Sequence, residues 1–131
     1  MGDQYELLVS AADAEALAPL VDGRDLAVDS DAADALADVL HEARIVAPEQ
    51  LPDDVVGLAS RVTYEDEKGT ARTITLVHPS EADPAQARIS VLSPIGRALL
   101  GRRTGAAVAA PGPGGRELRV RIVAAEKPLA A

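Results

Sequence analysis

The sequence predicts an α+β fold: a short N-terminal antiparallel helical hairpin over residues 1–47, a linker over 48–54, and an antiparallel β-sheet domain with one short helix over 55–131. Three observations predict it. Apolar residues recur at helical spacing as far as about residue 47, and from Val55 onward their period changes to two. Ser93-Pro94 then supplies an N-cap and a first-turn proline for a brief helix closed by Gly101.

The first helix starts at Ser10, with Asp13 three residues on in a capping-box-like arrangement, and reaches about Val21. Leu17, Leu20 and Val21 gather on one side, and Pro19 weakens the last turn. Asp22-Gly23-Arg24-Asp25 reads as a tight reversal. The second helix takes Ser30 as N-cap and is expected to run to about Val46, with Leu36, Val39, Leu40, Ala43, Val46 and Ala47 as its apolar stripe. Opposite lie Asp31, Asp34, Asp38 and Glu42, an acidic ridge whose first two members also suit the positive end of the helix dipole. Pro48 and Pro52, set among polar residues, mark the linker.

Val56, Leu58, Val62 and Tyr64 alternate with more polar neighbours, as in a strand. A charged turn ending in Gly69 leads into a β-branched strand from Thr70 to His78, which makes a hairpin with the first. A polar loop follows, then a short strand over Ile89–Leu92, the brief helix Ile95–Leu100, and a strand over Ala106–Ala110. The run Pro111-Gly112-Pro113-Gly114-Gly115 is a turn. In the last strand, Glu117–Ala124, Leu118, Val120 and Ile122 share one face, with Arg119 and Arg121 on the other.

Composition excludes several functions. Tyr5 and Tyr64 are the sole aromatic residues, too few for base-stacking platforms or aromatic cages, so the core is aliphatic. There is no cysteine, which removes disulfides, thiolate nucleophiles and zinc-cysteine sites and fits a reducing compartment. His41 and His78 stand far apart with no second histidine at ligand spacing, so no metal site and no cofactor are expected. The first six residues lack the basic start and apolar stretch of a secretory signal, and no apolar run approaches the roughly 20 residues that span a bilayer. A cytoplasmic monomer with no membrane partner is expected.

Charge is divided unevenly. Residues 1–54 hold 14 acids against 2 bases and the remainder 7 against 11, for net charges of −12 and +4 within an overall −8. Two parts that face different electrostatic surroundings are therefore expected.

The segments Leu51-Pro52-Asp53-Asp54-Val55-Val56, Ser60-Arg61-Val62 and Thr75-Leu76-Val77-His78-Pro79, together with the run from Ile89 through Ser90, Ser93-Pro94 and Arg97 to Leu99-Leu100-Gly101, resemble the C-terminal domain of the GreA and GreB transcription factors. The short N-terminal region and overall length are more similar to the Rnk type of that superfamily. The resemblance implies an FKBP-like C-terminal domain that grips RNA polymerase at the rim of its secondary channel, with the helical hairpin directed toward the channel. It implies a transcription regulator that competes with longer Gre-type factors, without catalysis and without direct sequence-specific contact to nucleic acid.

On that resemblance, Ser93 and Pro94, with Ser90, Leu92 and Arg97 beside them, are the expected polymerase-binding residues. In Gre factors two acids at the hairpin tip help hold a magnesium ion in the polymerase so that backtracked RNA is cut, a task that suits carboxylates because a hard cation takes oxygen ligands. Asp22, Asp25 and Asp29 occupy the tip here, but they do not match the Gre tip motif, and arms of about 17 and 25 Å, at about 1.5 Å per residue, are too short to deliver them from the rim. They are read as turn acids and capping groups. An FKBP-like fold also raises prolyl isomerase activity, yet those active sites are aromatic-lined and the chain contains neither Phe nor Trp.

Overall fold

A computed structural model describes residues 7–22, 28–111 and 115–127. Among these residues, strand β1 (Leu8–Ser10) leads into helix α1 (Ala11–Val21), followed by α2 (Ser30–Glu42) and β2 (Arg44–Val46). Then come β3 (Arg61–Asp66), β4 (Ala71–Val77), β5 (Arg88–Ser90), α3 (Pro94–Leu99), β6 (Ala107–Pro111) and β7 (Glu117–Glu126).

Ser10 caps α1 as its spacing predicts, its hydroxyl accepting from the Asp13 N–H at 3.1 Å. Pro19 lies inside the helix, two residues before its end. The second helix differs from expectation at both ends. Its N-cap is Asp29, whose carboxylate accepts from the Ala32 N–H at 3.1 Å, and the helix stops at Glu42, not Val46. Ala43 turns to extended backbone, and Arg44–Val46 pairs in parallel with Leu8–Ser10. The β-branched pair Ile45-Val46 suits this pairing better than a final helical turn.

The main sheet runs β5-β4-β3-β7-β6. The β3–β4 hairpin has Arg61 opposite Thr75 and Thr63 opposite Thr73, and β7 lies antiparallel between β3 and β6. Two expectations are corrected here. The strand foreseen from Val56 starts only at Arg61, because Ala59 takes a left-handed φ of 69° and Ser60 folds back, its hydroxyl accepting from the Gly57 N–H at 2.8 Å. The strand foreseen at Ile89–Leu92 spans Arg88–Ser90 and joins β4 in parallel, so the sheet is mixed at that edge. The helical turns Pro79–Glu81 and Pro84–Gln86 provide the crossover.

Val62, Tyr64, Ile74, Leu76, Val120 and Ile122 point from the sheet into a buried cluster that also holds Leu99 and Leu100. Leu17, Leu20 and Leu36 from α1 and α2 belong to the same cluster. Each such leucine contributes about 1.5–3 kcal/mol by burial, so the inner faces of both helices are held by the core they share with the sheet. Residues 48–54 are tied down as well: Lys127 Nζ donates to the Leu51 carbonyl at 3.0 Å, and Asp54 pairs with Arg103 at 3.2 Å. The expected turns at 22–25 and 111–115 fall largely outside the described residues, as does Asp25.

Candidate docking site

The Ser90–Arg97 segment folds into a self-braced corner at the end of β5. The Ser90 hydroxyl accepts from the Leu92 N–H at 3.0 Å, while the Ser93 hydroxyl donates to the Ser90 carbonyl at 2.7 Å and accepts from the Gly96 N–H at 3.1 Å. Arg97 closes the corner by donating from its guanidinium to the Leu92 carbonyl. With its backbone so occupied the corner is rigid, and Pro94 at the first helical position is its exposed member; Ser90, Leu92, Ser93 and Arg97 are half-buried.

Gly96 makes this packing possible. A Cβ there would stand 2.2 Å from the Ser90 carbonyl oxygen and 3.1 Å from a methyl of Leu76 in the core. Any side chain would push α3 off β5 and move Pro94 with it.

Pro94, Arg97 and Arg102 line a cleft of about 380 Å³ together with Asp38, Val39 and Glu42 of α2. Leu7, Ala98 and Val108 supply apolar lining. Two groups of residues singled out separately in the sequence, one in the sheet region and one on the acidic ridge, therefore meet in one concavity. The ridge itself is as expected: Asp31, Asp34, Asp38 and Glu42 are all exposed, as is His41. Asp22 is exposed at the end of α1, and Asp29 serves as a cap. Among the described residues no group of His, Cys, Asp or Glu is arranged to hold a metal ion, and no helix is long and apolar enough to cross a membrane.

Sequence reasoning missed the contact that fastens α1 to the sheet region. Asp13 Oδ2 accepts from the Leu58 N–H at 3.0 Å, and a Cβ on Gly57 would lie 2.7 Å from that same oxygen. Burial raises the Asp13 carboxyl above the ordinary aspartate range, against the lowering effects of the Leu58 bond and the Lys127 charge. The Ser10–Asp13 spacing signalled a helix start, but nothing in the sequence pointed from Asp13 to a turn 45 positions away.

Residues 51–127 match the family described as the C-terminal domain of transcription elongation factor GreA/GreB. The chain belongs to the GreA/GreB family. The match takes in Ser90, Leu92, Ser93, Pro94 and Arg97, while the acidic ridge on α2 precedes it. Among GreA/GreB relatives, the chain is 37% identical over 95 residues to the regulator of nucleoside diphosphate kinase of Escherichia coli K12, covering 72% of this chain and 70% of that protein. It is 42% identical over 90 residues to transcription elongation factor GreA of Geobacillus kaustophilus, covering 68% of this chain and 56% of that one. A solved GreA/GreB elongation factor from Nitrosomonas europaea superposes with a TM-score of 0.74 at 36% identity, covering 92% of this chain and 98% of the other. The whole-chain likeness therefore extends through α1 and α2 as well as the GreA/GreB C-terminal region.

Proposed function

We propose that the chain is a transcription regulator that docks on RNA polymerase near the secondary channel, through an FKBP-like module over 55–131, and competes there with longer Gre-type factors without catalysing a reaction. In this reading residues 1–47 are a short helical hairpin, 48–54 join it to the module, and Ser90, Leu92, Ser93, Pro94 and Arg97 are the binding residues. The observation that carries it is the Ser90–Arg97 corner, whose internal hydrogen bonds brace the segment that presents Pro94 to solvent. A surface fixed before binding loses little entropy on association.

Helix length supports the non-catalytic part. At about 1.5 Å per residue, α1 and α2 of 11 and 13 residues extend roughly 17 and 20 Å, and each has its inner face in the core shared with the sheet, α1 as far as Leu20 in its last turn. Helices so short and so held would occupy the docking position without carrying Asp22 or Asp29 to a distant active centre.

A stalled polymerase holding backtracked RNA tests the proposal. Added to a reaction stimulated by a longer Gre factor, the chain slows cleavage in proportion to its concentration, and alone it leaves the basal rate unchanged. Faster cleavage with the chain alone would favour a cleavage role for the tip acids. Turnover of Xaa-Pro peptides without polymerase would favour an isomerase.

A further inference from the structure

The main sheet has two edges, and they are finished differently. At β5 the edge is closed: Arg88 exchanges both backbone hydrogen bonds with Asp83, at 3.0 and 2.8 Å, and its guanidinium pairs with Glu81. At β6 the edge is open. Ile122 of β7 bonds through its N–H and carbonyl to Ala106 and Gly105, and the ladder continues with Val108 opposite Val120 and Ala110 opposite Leu118. Ala107 and Ala109 alternate with these bonded positions, so their N–H and carbonyl groups point away from β7. Both residues are exposed, and among the described residues none of those four groups has a hydrogen-bond partner. No charged side chain on β6 discourages pairing; only Pro111, which has no N–H, limits the edge.

This edge runs along the cleft that Pro94 and Arg97 line, where Ala107, Val108 and Ala109 also face the space. We infer that the β6 edge is a strand-addition site, at which an extended segment of the protein that docks on the Pro94 corner pairs with Ala107 and Ala109. This rests on the docking reading above and adds to it the conformation and side-chain pattern of the partner.

The unpaired groups define what fits. Two N–H donors and two carbonyl acceptors, repeating at about 7 Å along the strand, are matched by an extended main chain and by no single side chain. Main-chain recognition does not depend on net charge, which suits a cleft where Arg97 and Arg102 offset Asp38 and Glu42. Specificity then comes from alternation. A partner residue opposite Val108 turns its side chain to the same face as Val108, where Leu7, Val39 and Ala98 line the cleft, so an apolar residue is required there. Its two neighbours exchange the hydrogen bonds and cannot be proline. Ala107 and Ala109, with a methyl group each, leave the outer face clear for them.

Hydrogen exchange and affinity for purified core RNA polymerase test this on the full chain. In the free chain the Ala107 and Ala109 amides are expected to exchange at least about tenfold faster than those of Val108 and Ala110, and polymerase is expected to slow exchange across residues 105–111. Ala109→Pro removes an outward N–H and spares the β7 ladder, as thermal melting verifies. It is expected to bind polymerase at least about tenfold more weakly, and Ala109→Ser, which restores the N–H, to recover the affinity. Undiminished binding by a folded Ala109→Pro, or an equal loss from Ala109→Ser, overturns the inference. Should Ala109→Pro fail to fold, unchanged exchange across 105–111 in the polymerase-bound parent overturns it as well. Protection of these amides that grows with chain concentration, without polymerase, would assign the edge to a second copy instead. Pro94→Asp separates the two readings: loss with that variant alone leaves the docking reading standing without the edge, and a parent that does not bind polymerase ends both.

Discussion

The carboxylate of Asp13 and the backbone N–H of Leu58, 45 positions apart, are joined by a hydrogen bond of 3.0 Å. It ties the first turn of α1 to the bend that precedes β3. Leu17, one turn further along α1, is fully buried in the core shared with the sheet, so the clip and the core hold the same helix at neighbouring points.

Removing the clip is expected to destabilise the fold. Asp13→Ala leaves the Leu58 N–H without its acceptor at a part-buried site and is expected to cost about 1–3 kcal/mol in urea denaturation. Asp13→Asn keeps an acceptor oxygen and is expected to cost far less. Equal losses from both would show that the hydrogen bond is not what Asp13 contributes.

The same residue sets a pH dependence. Burial raises the folded carboxyl above its unfolded value, so the folded state holds that proton more tightly. The associated stability is fully present below the unfolded pKa of about 3.9 and is lost as pH rises through the folded value. The stability of the parent relative to Asp13→Asn is therefore expected to decline as pH is raised from about 3 to about 7, measured by denaturation of both proteins across that range. A difference that grows with pH contradicts the assignment.

Gly96→Ala is expected to destabilise the protein by about 2–4 kcal/mol, because its Cβ would meet the Ser90 carbonyl oxygen at 2.2 Å. Ser93→Ala, which removes the α3 cap but adds no bulk, is expected to cost only about 1 kcal/mol. Thermal melting of the two variants side by side checks the order.

Leu36→Ala, in the middle of α2, is expected to cost about 2–5 kcal/mol. Because Leu36 shares a cluster with Val62 and Leu99, circular dichroism and a probe on the sheet are expected to report one coincident transition in the parent and the variant alike. Separate transitions would mean that the helices and the sheet unfold independently.

Much of this architecture is legible in the sequence, because local signals are strong where periodicity and turn chemistry agree. Val62, Tyr64, Ile74 and Leu76 alternate inward as their spacing predicts, and Ser93-Pro94 opens α3 where an N-cap and a first-turn proline belong. The acidic ridge is exposed as its helical spacing requires. What escaped was long-range. Strand β1 is three residues long, and in the sequence its parallel partner β2 continues the apolar stripe of the second helix, since three residues carry too little periodicity to separate the two states. The pairing of β4 with β5 in parallel depends on the course of the loop between them. The meeting of Asp38 and Glu42 with Pro94 and Arg97 depends on how α2 lies against α3, which no local pattern encodes.

The most direct measurement of the central claim is the affinity of the full chain for core RNA polymerase, compared with that of Pro94→Asp. Asp is well tolerated in the first turn of a helix and Pro94 is exposed, so the substitution alters the surface and leaves the fold intact. Docking through Pro94 requires that the parent bind and that the variant lose at least about tenfold in affinity with an unchanged melting temperature. Undiminished binding by the variant, or no binding by the parent, would contradict it.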